Sequence, residues 1–129
     1  MVEVTEAIGG ATELWLSDKV WRELKRLDST VKGRFLKQLK RCCDGGFVNY
    51  EGMLVVCEWS EVYRIGFGWS LFRIIGFYED GTNKTRFIGM DAYLKHGQKL
   101  SAADRDRINA TAAIKKNRAW RKVVGNEQS

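Results

Sequence analysis

The sequence predicts an α+β fold in one small domain: an N-terminal strand and a helix hairpin packed on an antiparallel sheet of three to four strands, closed by a C-terminal helix. Three observations predict it. Between residues 18 and 43 the apolar side chains recur at helical intervals. From Phe47 onward the interval changes to alternation, in stretches rich in aromatic and β-branched residues. After Ser101 a run of alanines and charged residues returns to helical character. A chain of 129 residues suits one compact domain rather than two.

Each element has its own signal. Residues 1–10 end in Gly9-Gly10 and read as a flexible arm. Ala11–Leu16 reads as the first strand, and Ser17 or Asp18 then offers an N-cap. Val20, Trp21, Leu24 and Leu27 share one side of a first helix. Asp28-Ser29 breaks it and caps a second, over about 30–43, whose apolar side holds Val31, Phe35, Leu36, Leu39, Cys42 and Cys43. The opposite side carries Lys32, Arg34, Lys37, Lys40 and Arg41. Asp44-Gly45-Gly46 ends the helix as a glycine C-cap does. Strands are expected at 53–59, 62–68, 71–79 and 85–90, with Asp80-Gly81 marking a hairpin turn between the last two. A loop from Asp91 leads to Ser101, which forms a capping box with Asp104 at the start of the closing helix. The domain is expected over 11–116, with 117–129 a tail or an extension of that helix.

Composition narrows the partners. The formal net charge is +6, an excess that favours an acidic partner such as nucleic acid. No apolar run approaches the ~18 residues of a membrane span, and the first ten residues lack the basic and apolar regions of a secretory signal. A cytoplasmic protein with no membrane partner is therefore expected. The three cysteines read as reduced, structural thiols.

Two arginines stand where a strand core would take apolar residues: Arg64 in the 62–68 strand and Arg73 in the next. With a turn centred on Trp69-Ser70, Arg64 falls opposite Ile75 and Arg73 opposite Gly66, diagonal to Arg64 on one face. Arg86, on the following strand, is expected to land opposite Ile75 or Phe77 on that face, so that three guanidinium groups converge. Tyr63, Ile65, Phe67, Phe72, Ile74, Tyr78 and Phe87 fill the other face, which reads as the bed for the two helices. Glycines at 66, 68 and 76 thin the strands and are expected to admit a ligand backbone.

A guanidinium cluster suits phosphate, because it stays charged and binds oxygens in pairs. RNA supplies its own nucleophile, the 2′-hydroxyl, so cleavage needs only proton transfer and cations to absorb charge. Neither metal nor cofactor is expected, and the chain has no P-loop, dinucleotide fingerprint or HExxH. His96 is the sole histidine and a candidate for proton transfer, and Tyr93 lies three residues before it. Lys84, Lys95 and Lys99 are candidates to steer RNA, and Trp69 to stack on a base.

The order of strand, helix hairpin and antiparallel strands ending in a basic turn resembles the RelE/HigB/ParE superfamily of bacterial toxin–antitoxin toxins, in its HigB-like, phage-associated branch. Val62-Tyr63-Arg64-Ile65 is similar to that family's "ELR" strand, Leu71-Phe72-Arg73-Ile74 to its "YRV" strand, and Tyr93 through Ser101 to its lysine-rich turn before the last helix. His96 stands in place of that turn's second lysine, Ser101 in place of its proline, and Tyr63 in place of the glutamate. The resemblance implies a metal-independent endoribonuclease that cleaves messenger RNA on the ribosome and is blocked by a cognate antitoxin. It implies roles for Arg64, Arg73, Lys95, His96 and Lys99. The rival reading is a binding module of this fold without chemistry: a gyrase inhibitor, or a phage protein that binds a host factor or nucleic acid.

Overall fold

The computed structural model describes residues 1–47, 52–79, 85–97 and 99–124. They form one small α+β domain, three helices on a mixed sheet of seven strands. In chain order the elements are β1 (Val2–Ile8), β2 (Thr12–Ser17), α1 (Asp18–Lys25), α2 (Ser29–Asp44), β3 (Met53–Cys57), β4 (Tyr63–Phe67), β5 (Phe72–Tyr78), β6 (Thr85–Leu94), α3 (Ala102–Lys116) and β7 (Trp120–Val123). The sheet order is β3-β4-β5-β6-β2-β1-β7. None of the described helices is long and apolar enough to cross a membrane.

The caps fall where side-chain chemistry puts them. Ser17 Oγ accepts from Val20 N, the Asp28 carboxylate accepts from Thr30 N and Val31 N, and Ser101 and Asp104 close a reciprocal capping box. The box forms with Asp in place of the commoner Glu, because the shorter side chain still reaches Ser101 N at 3.3 Å.

The sheet is larger than the sequence predicts. Residues 2–8 are not a flexible arm: β1 pairs antiparallel with β2 and parallel with β7. The segment after α3 turns at Asn117-Arg118 and returns as β7, so it does not extend the helix. β6 runs on to Leu94, which puts Tyr93 in a strand rather than a loop. Two pairings are parallel, β2 with β6 and β1 with β7, so the sheet is mixed and not purely antiparallel. Parallel partners are far apart in the chain, and no local turn signal announces them. The expected turn at Asp80-Gly81 lies outside the described residues.

The core divides by strand parity. One face packs Leu14, Leu16, Ile65, Phe67, Phe72, Ile74 and Phe87 against Val20, Leu24, Phe35, Leu39, Cys42 and Cys43 of α1 and α2. Tyr63 and Tyr78 join its margin, as alternation predicts. Cys42 and Cys43 are free and fully buried, and burial pushes their thiols up to about 11 and about 12, so they stay protonated and inert. Cys57 departs from the structural reading: it is exposed on the edge strand β3. The second face is not left open. α3 lays Ile108 on Val62, Ile75 and Tyr93, and Ile114 packs beside Val4, Trp15, Phe77, Ile88 and Met90.

Candidate functional site

The hairpin of β4 and β5 has the predicted register, with Arg64 opposite Ile75 and Gly66 opposite Arg73. The two guanidinium groups therefore share the face that α3 partly covers. Arg73 is 8% exposed, and its Nη1 donates to the carbonyls of Ser70 (2.6 Å), Phe72 (3.0 Å) and Phe67 (3.4 Å). It clamps the 67–72 turn. Gly66 makes this possible, since a Cβ there would sit 2.7 Å from the Arg73 side chain. Burial, and then the charge of Arg64, push Arg73 below the ordinary guanidinium value.

Arg64 faces two partners. Its Nη1 donates to Tyr93 Oη at 3.4 Å, and its Nη2 lies 3.3 Å from Glu58 Oε1. That carboxylate oxygen is buried and receives no hydrogen bond, so the pair attracts through charge without satisfying the acceptor. Burial raises Tyr93 above its usual value, against the pull of Arg64, with lesser contributions from Asp104, which raises it, and Arg73, which lowers it. The phenol is therefore fully protonated at neutral pH. The Arg107 guanidinium lies 5.1 Å over its ring.

Arg86 does not join them. Parity puts it on the predicted face, yet it sits opposite Glu79, four residues along β5 from Ile75, about 13 Å at the usual strand rise. Its Nε donates to Glu13 Oε1 at 2.6 Å, and its Nη1 lies 3.5 Å from Glu79. Lys122 of β7 closes the network on Glu79 at 2.7 Å. The bond to Glu13 first, and the Glu79 charge with it, hold the Arg86 guanidinium above its ordinary value. The convergence of three arginines is thus corrected to two. The glycine expectation is corrected as well: Gly66 accommodates Arg73, and Gly76 admits the Ile88 carbonyl at a β-bulge that leaves Met90 unpaired. Gly68 alone faces open space.

Tyr93 and His96 both line a cavity of about 550 Å³ between α1 and α3, where β6 has run past the end of β2. Lys19 and Glu23 come from α1 and Arg26 from its C-cap, and Asp104 and Arg107 come from α3 and Ser101 from its N-cap. The cations have internal partners, Lys19 with Asp91 (2.7 Å), Arg26 with Glu23 (3.2 Å) and Arg107 with Asp104 (3.2 Å). Arg26 and Lys19 are exposed enough for a phosphate to compete for them.

The remaining candidates scatter. Lys99 is exposed, and Lys95 is half-buried, its backbone N–H bonded to Leu71 O. Lys84 lies outside the described residues. Trp69 is no free stacking platform: its ring stacks on Phe67, its indole N–H donates to Gln38 at 2.5 Å, and Arg34 covers it at 4.1 Å. Glu58, Lys19, Arg26 and Arg107 were missed by sequence reasoning. Their only signal is charge at positions 19, 23 and 26 and at 104 and 107, spacings common on any solvated helix. No protein-family model matches the chain, and no curated protein matches it.

Proposed function

We propose that the chain is an RNA-cutting toxin of the RelE/HigB type, acting on messenger RNA without a metal and neutralised by an antitoxin. The reading rests on the resemblance of its strand and turn motifs, and on the order of β2, α1, α2, the β4–β6 strands and α3, which is the order the resemblance implies. The observation that carries it is that Tyr93 and His96 line one cavity together with Lys19, Arg26 and Arg107.

The chemistry follows from those groups. The 2′-oxygen of RNA attacks the adjacent phosphorus while the bond to the 5′-oxygen breaks, leaving a 2′,3′-cyclic phosphate and a 5′-hydroxyl. His96 takes the 2′-hydroxyl proton. Tyr93, protonated at neutral pH, gives its proton to the leaving oxygen, and the hydrogen bond from Arg64 stabilises the phenolate that forms. Arg107 and Lys19 absorb the charge growing on the phosphate. Arg64 and Glu58 act through Tyr93 and position it.

A second reading has its own support. Arg73 and Arg86 are held by internal acceptors, as expected of a non-catalytic module that binds gyrase, a host factor or nucleic acid. Brief induction followed by mapping of RNA ends separates the two. Cleavage gives 2′,3′-cyclic phosphate termini, and Tyr93→Phe and His96→Ala each reduce it by about 10²-fold or more. Intact RNA in cells holding folded wild-type protein would overturn the nuclease reading.

A further inference from the structure

α2 holds Lys32, Arg34, Lys37, Lys40 and Arg41 against the single carboxylate of Asp44, most of the chain's net charge of +6 on one helix. Arg34, Lys37, Lys40 and Arg41 are exposed. Lys37 and Arg41 have no carboxylate partner among the described residues, and Lys40 pairs with Asp44 at 2.7 Å. Arg34 is already fixed, its guanidinium lying over the Trp69 ring at 4.1 Å, so little side-chain freedom is left to lose on binding. Arg34, Lys37 and Arg41 form one row on the helix, about 10 Å long at 1.5 Å per residue.

Gly33 marks the same surface. It sits within α2, where glycine is a poor helix former, and an added Cβ would meet nothing within 4 Å. Packing therefore does not ask for glycine here. At 100° per residue, Gly33 projects between Lys40 and Lys37, in the middle of the cationic face. A bare backbone at that point lets a bulky chain come close to the helix.

We propose that this face of α2 is a second, sequence-independent RNA-backbone site, along which a strand runs over Gly33 between Lys40 on one side and Lys37, Arg34 and Arg41 on the other. It rests on the RNA reading above but not on the Tyr93–His96 cavity. That cavity is lined from α1, β6 and α3 and takes nothing from α2. The site would add affinity for a long RNA without setting where it is cut, because phosphate contacts position and carry no sequence information.

The test measures binding of a short fluorescein-labelled single-stranded RNA across a potassium chloride series. It compares wild type, the double variant K37E/R41E and Gly33→Leu. The substituted α2 positions are exposed, and thermal melts check the fold. The proposal expects K37E/R41E to weaken binding about tenfold or more at ~0.1 M salt and to flatten the log–log salt slope by about 1.4, two contacts at ~0.7 each. Gly33→Leu raises the melting temperature, weakens binding severalfold and leaves the salt slope unchanged, because it blocks approach without removing charge.

Unchanged affinity and slope in K37E/R41E overturn the proposal, and unchanged affinity in Gly33→Leu overturns the path over Gly33. Binding of the wild type to phosphatidylserine vesicles but not to RNA overturns it in favour of a membrane surface. RNA that K37E/R41E fails to bind and that the wild type binds but never cuts sinks the nuclease reading and leaves this one standing. RNA that both proteins cut and bind equally does the reverse.

Discussion

Arg64 and Arg86 are the same residue type on the same face of one sheet, and they do different work. Arg86 is matched by two carboxylates, Glu13 from β2 and Glu79 beside β5, and the network ties in β7 through Lys122. Arg64 has one carboxylate in poor hydrogen-bonding geometry, a tyrosine hydroxyl, and a second guanidinium close by. The first end of the sheet is electrostatically closed and structural. The second is under-compensated, and it backs onto a cavity. Strand parity identified a shared face, but function depends on position along the strand and on the counter-charges that other elements bring.

The largest expected effect lies at the boundary between the two ends. Gly76 sits at the β-bulge between them, and a Cβ would collide with the Ile88 carbonyl oxygen. Gly76→Ala should cost about 3 kcal/mol, since a backbone group cannot rotate away as a side chain would. Urea denaturation measures it, and a loss under about 1 kcal/mol would mean that the two ends are not rigidly joined.

Next comes the pair of arginine deletions. Arg86→Met leaves Glu13 and Glu79 without their shared partner and should cost about 2 kcal/mol while RNA cleavage stays at the wild-type rate. Glu58→Gln with Arg64→Met removes both charges of the other pair. It should cost less than about 1 kcal/mol, because replacing both members avoids an orphaned ion, yet reduce cleavage by about 10-fold or more through loss of the Tyr93 contact. Equal losses of stability and activity in the two variants would erase the distinction.

The same double variant has a spectroscopic signature. Burial already holds Tyr93 above the ordinary phenol value of 10.0, and Arg64 pulls it down. Removing Arg64 should raise it further, read from ultraviolet difference spectra against the matching Tyr93→Phe background. A raised folded-state value favours the neutral phenol. Its contribution to stability is fully present below pH 10 and is lost as the pH climbs through the folded value. No shift on losing Arg64 would break the link between them.

The smallest effect concerns the hairpin that carries Glu58. Ser60 and Glu61 both have positive φ, 62° and 58°, in a tight turn between β3 and β4 closed by Glu58 N–H to Val62 O. Asn-Gly suits such a turn. Ser60→Asn with Glu61→Gly should raise stability by roughly 0.5–1 kcal/mol, reduced by loss of the exposed Glu61–Lys115 pair. A melting curve reads it. Unchanged cleavage alongside higher stability would show that the strained turn serves the fold alone, whereas a fall in cleavage would extend the under-compensated end to Glu58's own loop.

Much of the fold was legible in local patterning. Phe67, Ile65, Phe72, Ile74 and Phe87 alternate, so their common face followed from the two-residue period of a strand. The register of β4 on β5 followed from an even-membered loop. Ser17, Asp28 and Ser101 announced the helix starts because a cap is made within three residues of itself. The candidate site was legible only in part. Tyr93 and His96 are close in sequence, and Arg64 reaches Tyr93 across β5, but Lys19, Arg26 and Arg107 enter the cavity from helical segments about 70 residues or 11 residues away from His96 in the chain.

The amino-acid sequence alone determined the helices, the central strands, the face each side chain occupies and the cationic side of α2, since these depend on neighbours within a few residues. Tertiary structure decided that β1 and β7 pair as parallel strands, that a bulge at Gly76 separates Arg86 from Arg64, and that α3 covers part of the arginine-bearing face. Those outcomes turn on contacts between residues far apart in sequence, where geometry and the supply of counter-charge are set only once the chain has closed on itself.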